Sequence, residues 1–174
     1  MNREVYSRTE NTKDEWETPK YFFDLLDRIF RFTLDPCASP SNAKCKKFYT
    51  KDDNGLSQDW IGESVFVNPP FSDIKSWVQK CYQEGTKENT IVVMILPSRT
   101  DTKYWHDYIM KANEIWFCKG RVNFLLNGVL PKNSSSTFPL VVGVFESKTK
   151  SFPLIKSFGH KQNNRGSEQK NGLL

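Results

Sequence analysis

The stretch Asn89–Pro97, NTIVVMILP, decides the fold class. Ile91 to Leu96 are all apolar, so a strand built from them has no face for water. A strand apolar on both faces belongs in a parallel sheet covered by helices on two sides. Upstream, DIKSWVQKCYQEG (Asp73–Gly85) has the spacing of an amphipathic helix stopped by Gly85, and SVFVN (Ser64–Asn68) reads as a strand. Downstream, TKYWHDYIMKAN (Thr102–Asn113) reads as a helix, followed by strands in EIWFC and FPLVVGVFE and a loop from about Lys119 to Thr137. Nearer the start, PKYFFDLLDRIF is a helix with Thr18 as N-cap and Pro19 at the first helical position. RFTLD is a short strand stopped by Asp35-Pro36, and SNAKCKKFY is read as a brief helix beginning near Ser41. Strand and helix alternate along the chain, which predicts an open, mostly parallel α/β sheet with helices on both faces.

The chain has 174 residues, enough for one domain with a full core, and 37% hydrophobic with 14% aromatic residues suits burying one. No apolar run approaches the roughly 20 residues that span a bilayer, and MNREVYSRTE has no apolar signal-peptide region, so the expected location is the cytoplasm, with no membrane partner. Cys37, Cys45, Cys81 and Cys118 form no C-x-x-C pair, and with only His106 and His160 to join them no metal site is expected. The net charge of +5 sits entirely from Ser147 onward, where six Lys or Arg face Glu168 alone. That divides the chain into residues 1–14 as a flexible start, 15–146 as the folded domain, and 147–174 as a basic tail, disordered from Asn163 to Leu174. Such a tail either strengthens binding to a polyanion or is simply solvated.

In doubly wound sheets, ligands bind at the carboxyl ends of strands where strand order reverses. Three turns leave strands there: DPCAS, NPPF and LPSRTD. Asp35 in the first is placed to bind a ribose or an amine, or else caps its own turn. In the second, Pro69 and Pro70 fix two φ angles and remove two donors, making a rigid corner. The Asn68 carboxamide and the Pro69 carbonyl offer two fixed oxygens for the hydrogens of an exocyclic amine. Phe71 offers a face for the ring that bears the amine. A nucleobase is the natural ring, and reaching its amine in a duplex requires flipping it out of the stack.

NPPF resembles the (D/N)PP(Y/F) motif of S-adenosylmethionine-dependent DNA amino-methyltransferases. The ordered run EWETP, LDPCASPSNAKC, DDNGLSQDW, FVNPPF and LPSRTDTKYW resembles the phage DNA N-6-adenine-methyltransferase (Dam-like) family over roughly Asp14 to Glu146. The resemblance implies an abbreviated single-domain Rossmann-like (class I) methyltransferase fold, S-adenosyl-L-methionine as cofactor, DNA as partner and no metal; the residues do not give the oligomeric state, and a monomer is the working expectation. It implies that Trp16, Thr18 and Pro19 close over the methionine end of the cofactor. Asp35, Cys37 and Ala38 match the first cofactor turn, and Asp53 is a contact for ribose or adenine, or only a turn former in DDNG. Asn68, Pro69, Pro70 and Phe71 match the catalytic corner.

Two departures from the family pattern stand out. The first motif lacks a glycine-rich turn, so the backbone amides that would receive the cofactor carboxylate are not evident. Only 32 residues separate Asp35 from Asn68, too few for two βα units, so the sheet is expected to be abbreviated there. With no separate target-recognition domain in 174 residues, DNA contacts are expected from two loops, one with Arg99 and Lys103, the other with Arg121 and Lys132. The expected function is site-specific methylation of adenine N6 in DNA. The rivals are cytosine-N4 methylation, which the same corner could perform, and a catalytically silent nucleic-acid-binding protein.

Overall fold

The computed structural model describes residues 14–131, 138–148 and 151–159. The elements are β1 (Trp16–Glu17), α1 (Lys20–Phe30), β2 (Leu34–Asp35), β3 (Lys47–Phe48), β4 (Ser64–Val67), α2 (Ile74–Gly85), β5 (Ile91–Pro97), α3 (Lys103–Asp107), β6 (Glu114–Lys119), β7 (Leu125–Leu126), β8 (Leu140–Glu146) and β9 (Leu154–Gly159). Seven strands form one sheet in the order β3-β2-β4-β5-β8-β6-β9, and β1 pairs with β7 apart from it. Every neighbouring pair is parallel except the two made by β8, which runs against β5 and β6.

β5 is the axis of the core, because its alternate side chains feed two separate apolar layers. Val92, Met94 and Leu96 pack with Trp77, Val78 and Cys81 of α2 and with Tyr104, Trp105 and Ile109. Val93 and Ile95 face the other way, onto Phe22, Phe23 and Leu26 of α1, with Phe66 and Trp116. Helices therefore cover both faces, as the apolar run requires. Among the described residues no helix is long and apolar enough to cross a membrane.

Strand order reverses between β2 and β4. The chain goes from β2 outward to β3 at one edge, then returns to add β4 and β5 on the other side. Only the two-residue β3 lies between them in sequence, the abbreviation expected from the short Asp35–Asn68 spacing. The carboxyl ends of β2 and β4, Asp35 and Val67 with Asn68 beyond it, stand side by side at this switch point.

The structure differs from the sequence reading in five places. The helix expected near Ser41 is a series of turns, with the Asn42 and Ala43 N–H groups on the Ser39 carbonyl, Ser39 N–H donating to Asn42 Oδ1 and Lys44 N–H to Asp35 Oδ2. The first helix starts one residue later than expected. Pro19 is its N-cap, its carbonyl taking the Phe22 and Phe23 N–H groups, and Thr18 makes no cap bond. The helix expected over Thr102–Asn113 breaks at Tyr108 into α3 and a single 3-10 turn. The loop after Lys119 contains β7, which pairs antiparallel with β1. The sheet also continues past Glu146, since β9 adds an edge strand parallel to β6. Residues 1–13 and 160–174, with Asn163–Leu174 among them, lie outside the described residues.

Candidate active site

Asp35 ends β2 and is almost fully buried, at 4% exposure. Its oxygens accept from two backbone amides, Lys44 N–H at 3.1 Å and Cys37 N–H at 3.4 Å. Burial pushes its pKa up to about 6, against the lowering effect of those amides and of the Lys44 charge. A buried carboxylate held by amides from one side, and still costly to ionise, suits a cationic partner on the other.

Asn68 follows β4. Its Nδ2 donates to the Trp16 carbonyl at 2.7 Å, which sets the carboxamide orientation and leaves Oδ1 accepting from no described residue. The Cys37 thiol donates to the Asn68 carbonyl at 3.2 Å, tying the β2 turn to the start of the corner. Burial pushes the Cys37 thiol well above its usual range, so it is a neutral donor. Pro69 is buried, and Pro70 leads into a short 3-10 turn, Phe71–Asp73, ahead of α2. The Ser72 N–H donates to Asp14 Oδ1 at 2.9 Å. Phe71 meets Phe138 edge to face, centroids 5.4 Å apart, and Phe138 leans on Phe124.

β1 acts as a strap over these two strand ends. It is bonded to Asn68 below and paired with β7 beside it, Trp16 opposite Leu126 and Glu17 opposite Leu125. Strap and strand ends enclose a narrow cleft of about 60 Å³. Asp14 to Thr18 line it from the strap, Asp35, Cys37, Asn42 and Lys44 from the β2 turn, and Phe66, Asn68 and Pro70 from β4. Acids predominate, and Thr18, only 1% exposed, has a hydroxyl with no hydrogen-bond partner. Buried polar groups are nearly always satisfied, so an orphaned hydroxyl in a cleft marks space for a polar ligand.

Of the residues singled out in the sequence, Trp16, Thr18, Asp35, Cys37, Asn68 and Pro70 line this one cleft. Pro19 is buried beside Thr18, and Ala38 gives its N–H to the Tyr49 carbonyl without lining the cleft. Asp53 is not brought there. Its exposed carboxylate accepts from Thr50 Oγ1 and N–H at 2.7 and 2.8 Å, bonds that hold its pKa below the usual range. Arg99, Lys103 and Arg121 are exposed, Lys103 in an i,i+4 pair with Asp107 at 2.8 Å, and Lys132 lies outside the described residues. Sequence reasoning missed Asn42 and Lys44, whose place in the cleft depends on the side-chain turn that replaced the expected helix. No group of three or more potential metal ligands occurs among the described residues.

The mixed α/β sheet, with its cleft at the switch point, is consistent with a Rossmann-like methyltransferase fold. The sequence matches the DNA N-6-adenine-methyltransferase (Dam) family over residues 7–170. It is 32% identical over 139 residues to the DNA N-6-adenine-methyltransferase of Haemophilus phage HP1, covering 78% of this chain and 80% of that one. It is 31% identical over 105 residues to the DNA N-6-adenine-methyltransferase of Escherichia phage T1, 59% of this chain and 44% of that one. A putative methyltransferase, YfdM of Escherichia coli K12, is 37% identical over 65 residues. The chain belongs to the DNA N-6-adenine-methyltransferase (Dam) family.

Proposed function

We propose that this protein transfers a methyl group from S-adenosylmethionine to N6 of an adenine flipped out of duplex DNA. The observation that carries this reading is the orientation of Asn68. With Nδ2 bonded to the Trp16 carbonyl, Oδ1 is left as an acceptor at a corner whose prolines donate nothing. The cofactor, when bound, supplies an electrophilic methyl group on a sulfonium. The acidic cleft fits a cationic group, and the orphaned Thr18 hydroxyl and buried Asp35 suit its amino-acid end.

Asn68 Oδ1 and the Pro69 carbonyl accept the two amine hydrogens, which turns the nitrogen lone pair toward the methyl carbon. The same oxygens would stabilise the positive charge that grows on nitrogen as the N–C bond forms and the C–S bond breaks, its electron pair leaving with the sulfur. One proton then leaves the nitrogen for water. Most of the acceleration comes from holding nitrogen and methyl in line at a rigid corner. Phe71, braced by Phe138, offers its free face to the base. Two exposed loops are suited to DNA. One carries Arg99 and ends at Lys103, the first residue of α3. The other carries Arg121 and leads into a tight turn at Asn127 and Gly128, both at positive φ, with Val129 and Leu130 exposed at 66% and 50%. Exposed cations are what phosphates meet, and exposed apolar side chains are what unstacked bases meet.

Mass spectrometry of nucleosides from DNA treated with protein and cofactor tests the reading. N6-methyladenine is expected; N4-methylcytosine, or no methylated base, overturns it.

Phe71→Ala is expected to weaken capture of the base by about 1–3 kcal/mol, the cost of one lost base stack. It should raise the KM for DNA more than it lowers kcat, and Phe71→Tyr should retain most activity. Fluorescence of 2-aminopurine at the target position reads the flipped population directly. Unchanged fluorescence in Phe71→Ala would remove the ring from base capture.

Cofactor affinity should depend on pH through Asp35. The free carboxyl titrates at about 6, and a cationic ligand binds its ionised form. Affinity should therefore rise as pH rises through about 6 and level off above, with a limiting slope of about tenfold per pH unit below it. Lys44, Asp14, Glu15 and Glu17 share the cleft, so Asp35→Asn is the control: calorimetry should show weaker binding and a flat profile between pH 5 and about 7. The free protein shows the opposite sign. A folded-state pKa raised above the unfolded value contributes stability that is present at low pH and lost as pH rises through about 6.

A further inference from the structure

Three hydrogen-bond donors on residues of the cleft beside Asn68 have no partner among the described residues. The Thr18 hydroxyl is buried and bonds no described residue. Asn42 commits its Oδ1 to the Ser39 N–H at 2.7 Å, and its Nδ2 donates to no described residue. Lys44 gives its backbone N–H to Asp35 Oδ2, and its Nζ pairs with no described carboxylate. All three line the same cleft as buried Asp35. One buried carboxylate and three unmatched donors around a common space are the complement of a zwitterionic α-amino acid, ammonium on one side and carboxylate on the other. Lys44 is also the single cation among the described residues that line the cleft, whose other charged members, Asp14, Glu15, Glu17 and Asp35, are acids. Without it, a ligand carboxylate would be repelled. The DPCAS turn has no glycine-rich backbone to take its place.

We propose that Thr18, Asn42 and Lys44 form a carboxylate subsite, with Asp35 facing the ammonium of the same amino-acid group, and that Lys44 makes the protein select ligands with an intact α-carboxylate. The proposal rests on the cofactor reading above and assigns its amino-acid end to particular donors. The other anion such donors could take is a DNA phosphate.

Calorimetry without DNA, at one pH, on the full chain separates these. Lys44→Met keeps the side-chain stem and removes the charge. It is expected to lower affinity for S-adenosylhomocysteine by about ten- to a hundredfold, the loss of one charge-assisted contact. Affinity for decarboxylated S-adenosylmethionine should stay level or rise, since a positive charge has left an acidic cleft. Lys44→Arg should recover most of the first loss, and an unchanged melting temperature in both variants shows the fold is kept. Equal losses for the two ligands, or no loss for S-adenosylhomocysteine, overturns the subsite. Loss of duplex DNA affinity alone assigns the donors to phosphate and overturns it too. A parental protein that binds neither ligand refutes the cofactor reading and the subsite with it, and the parental titration distinguishes that failure from failure of the subsite alone.

Discussion

Asn68→Ala is expected to slow methylation in single turnover by about two to three powers of ten, the usual loss for one preorganised polar contact at a developing charge. The variant should fold, because Asn68 is only half-buried and its backbone remains held by the two prolines and by the Cys37 thiol. Cofactor affinity should change much less than rate, although the bond to Trp16 that fastens the strap is lost as well. Asn68→Asp separates the two roles. It retains an acceptor for the amine but sets a carboxylate oxygen against the Trp16 carbonyl. Its cofactor affinity should therefore fall more than that of Asn68→Ala, while more of the chemical step survives. An alanine variant that methylates an adenine-containing duplex at the parental rate would reduce the corner to a turn and remove Asn68 from the reaction.

Glu84→Ala is expected to cost about 1–3 kcal/mol of folding stability, the range for leaving a buried donor, here the Trp60 N–H, without its acceptor; Lys87 keeps Asp59 and Lys80 keeps the Gln58 carbonyl. Glu84 is 2% exposed on α2, paired with Lys80 at 2.7 Å and Lys87 at 2.8 Å, and it accepts the Trp60 N–H at 3.0 Å. Burial pushes its pKa up, but the Lys80, Lys87 and Trp60 bonds outweigh that and hold it below the usual range. Its folded-state pKa is thus depressed, so its contribution is present above the unfolded value near 4.5 and lost as pH falls through the folded one. Chemical denaturation at pH 7 reads the loss, and a midpoint within error of the parent would show the cluster to be dispensable. The cluster also bears on the site. Glu84 anchors Trp60, whose Nε1 donates to the Gly55 carbonyl, and Gly55 packs so closely that an added Cβ would lie 1.9 Å from the carbonyl oxygen of Pro36, next to Asp35. The Glu84 variant should therefore weaken cofactor binding at temperatures where it is still folded.

What was legible in the residues alone is what neighbouring residues impose on one another. Six consecutive apolar residues leave a strand no wet face, so β5 and its two helical covers followed from NTIVVMILP. Two prolines after Asn68 fix a corner whatever surrounds it, and the short stretch between Asp35 and Asn68 limited the intervening sheet. The chemistry proposed for the corner is likewise local, since its acceptors and its ring are adjacent in sequence.

Tertiary structure decided what depends on segments far apart in the chain. Nothing in FPLVVGVFE distinguishes an antiparallel strand from a parallel one, yet β8 runs against both neighbours, because direction is set by which strands it meets. β1, β3 and β7 are two residues each, too short to carry a period, and exist only through pairing. Lys44 and Asn42 read as part of a polar helix, yet they stand in turns whose Lys44 N–H is held by the Asp35 carboxylate, nine positions back, a contact local spacing does not announce. The orientation of the Asn68 amide, on which the proposed chemistry turns, is set by a carbonyl 52 positions away in sequence. Local periodicity reports which face of an element is apolar; it holds no record of the partner that satisfies a single buried polar atom, and in this protein those partners build the cleft.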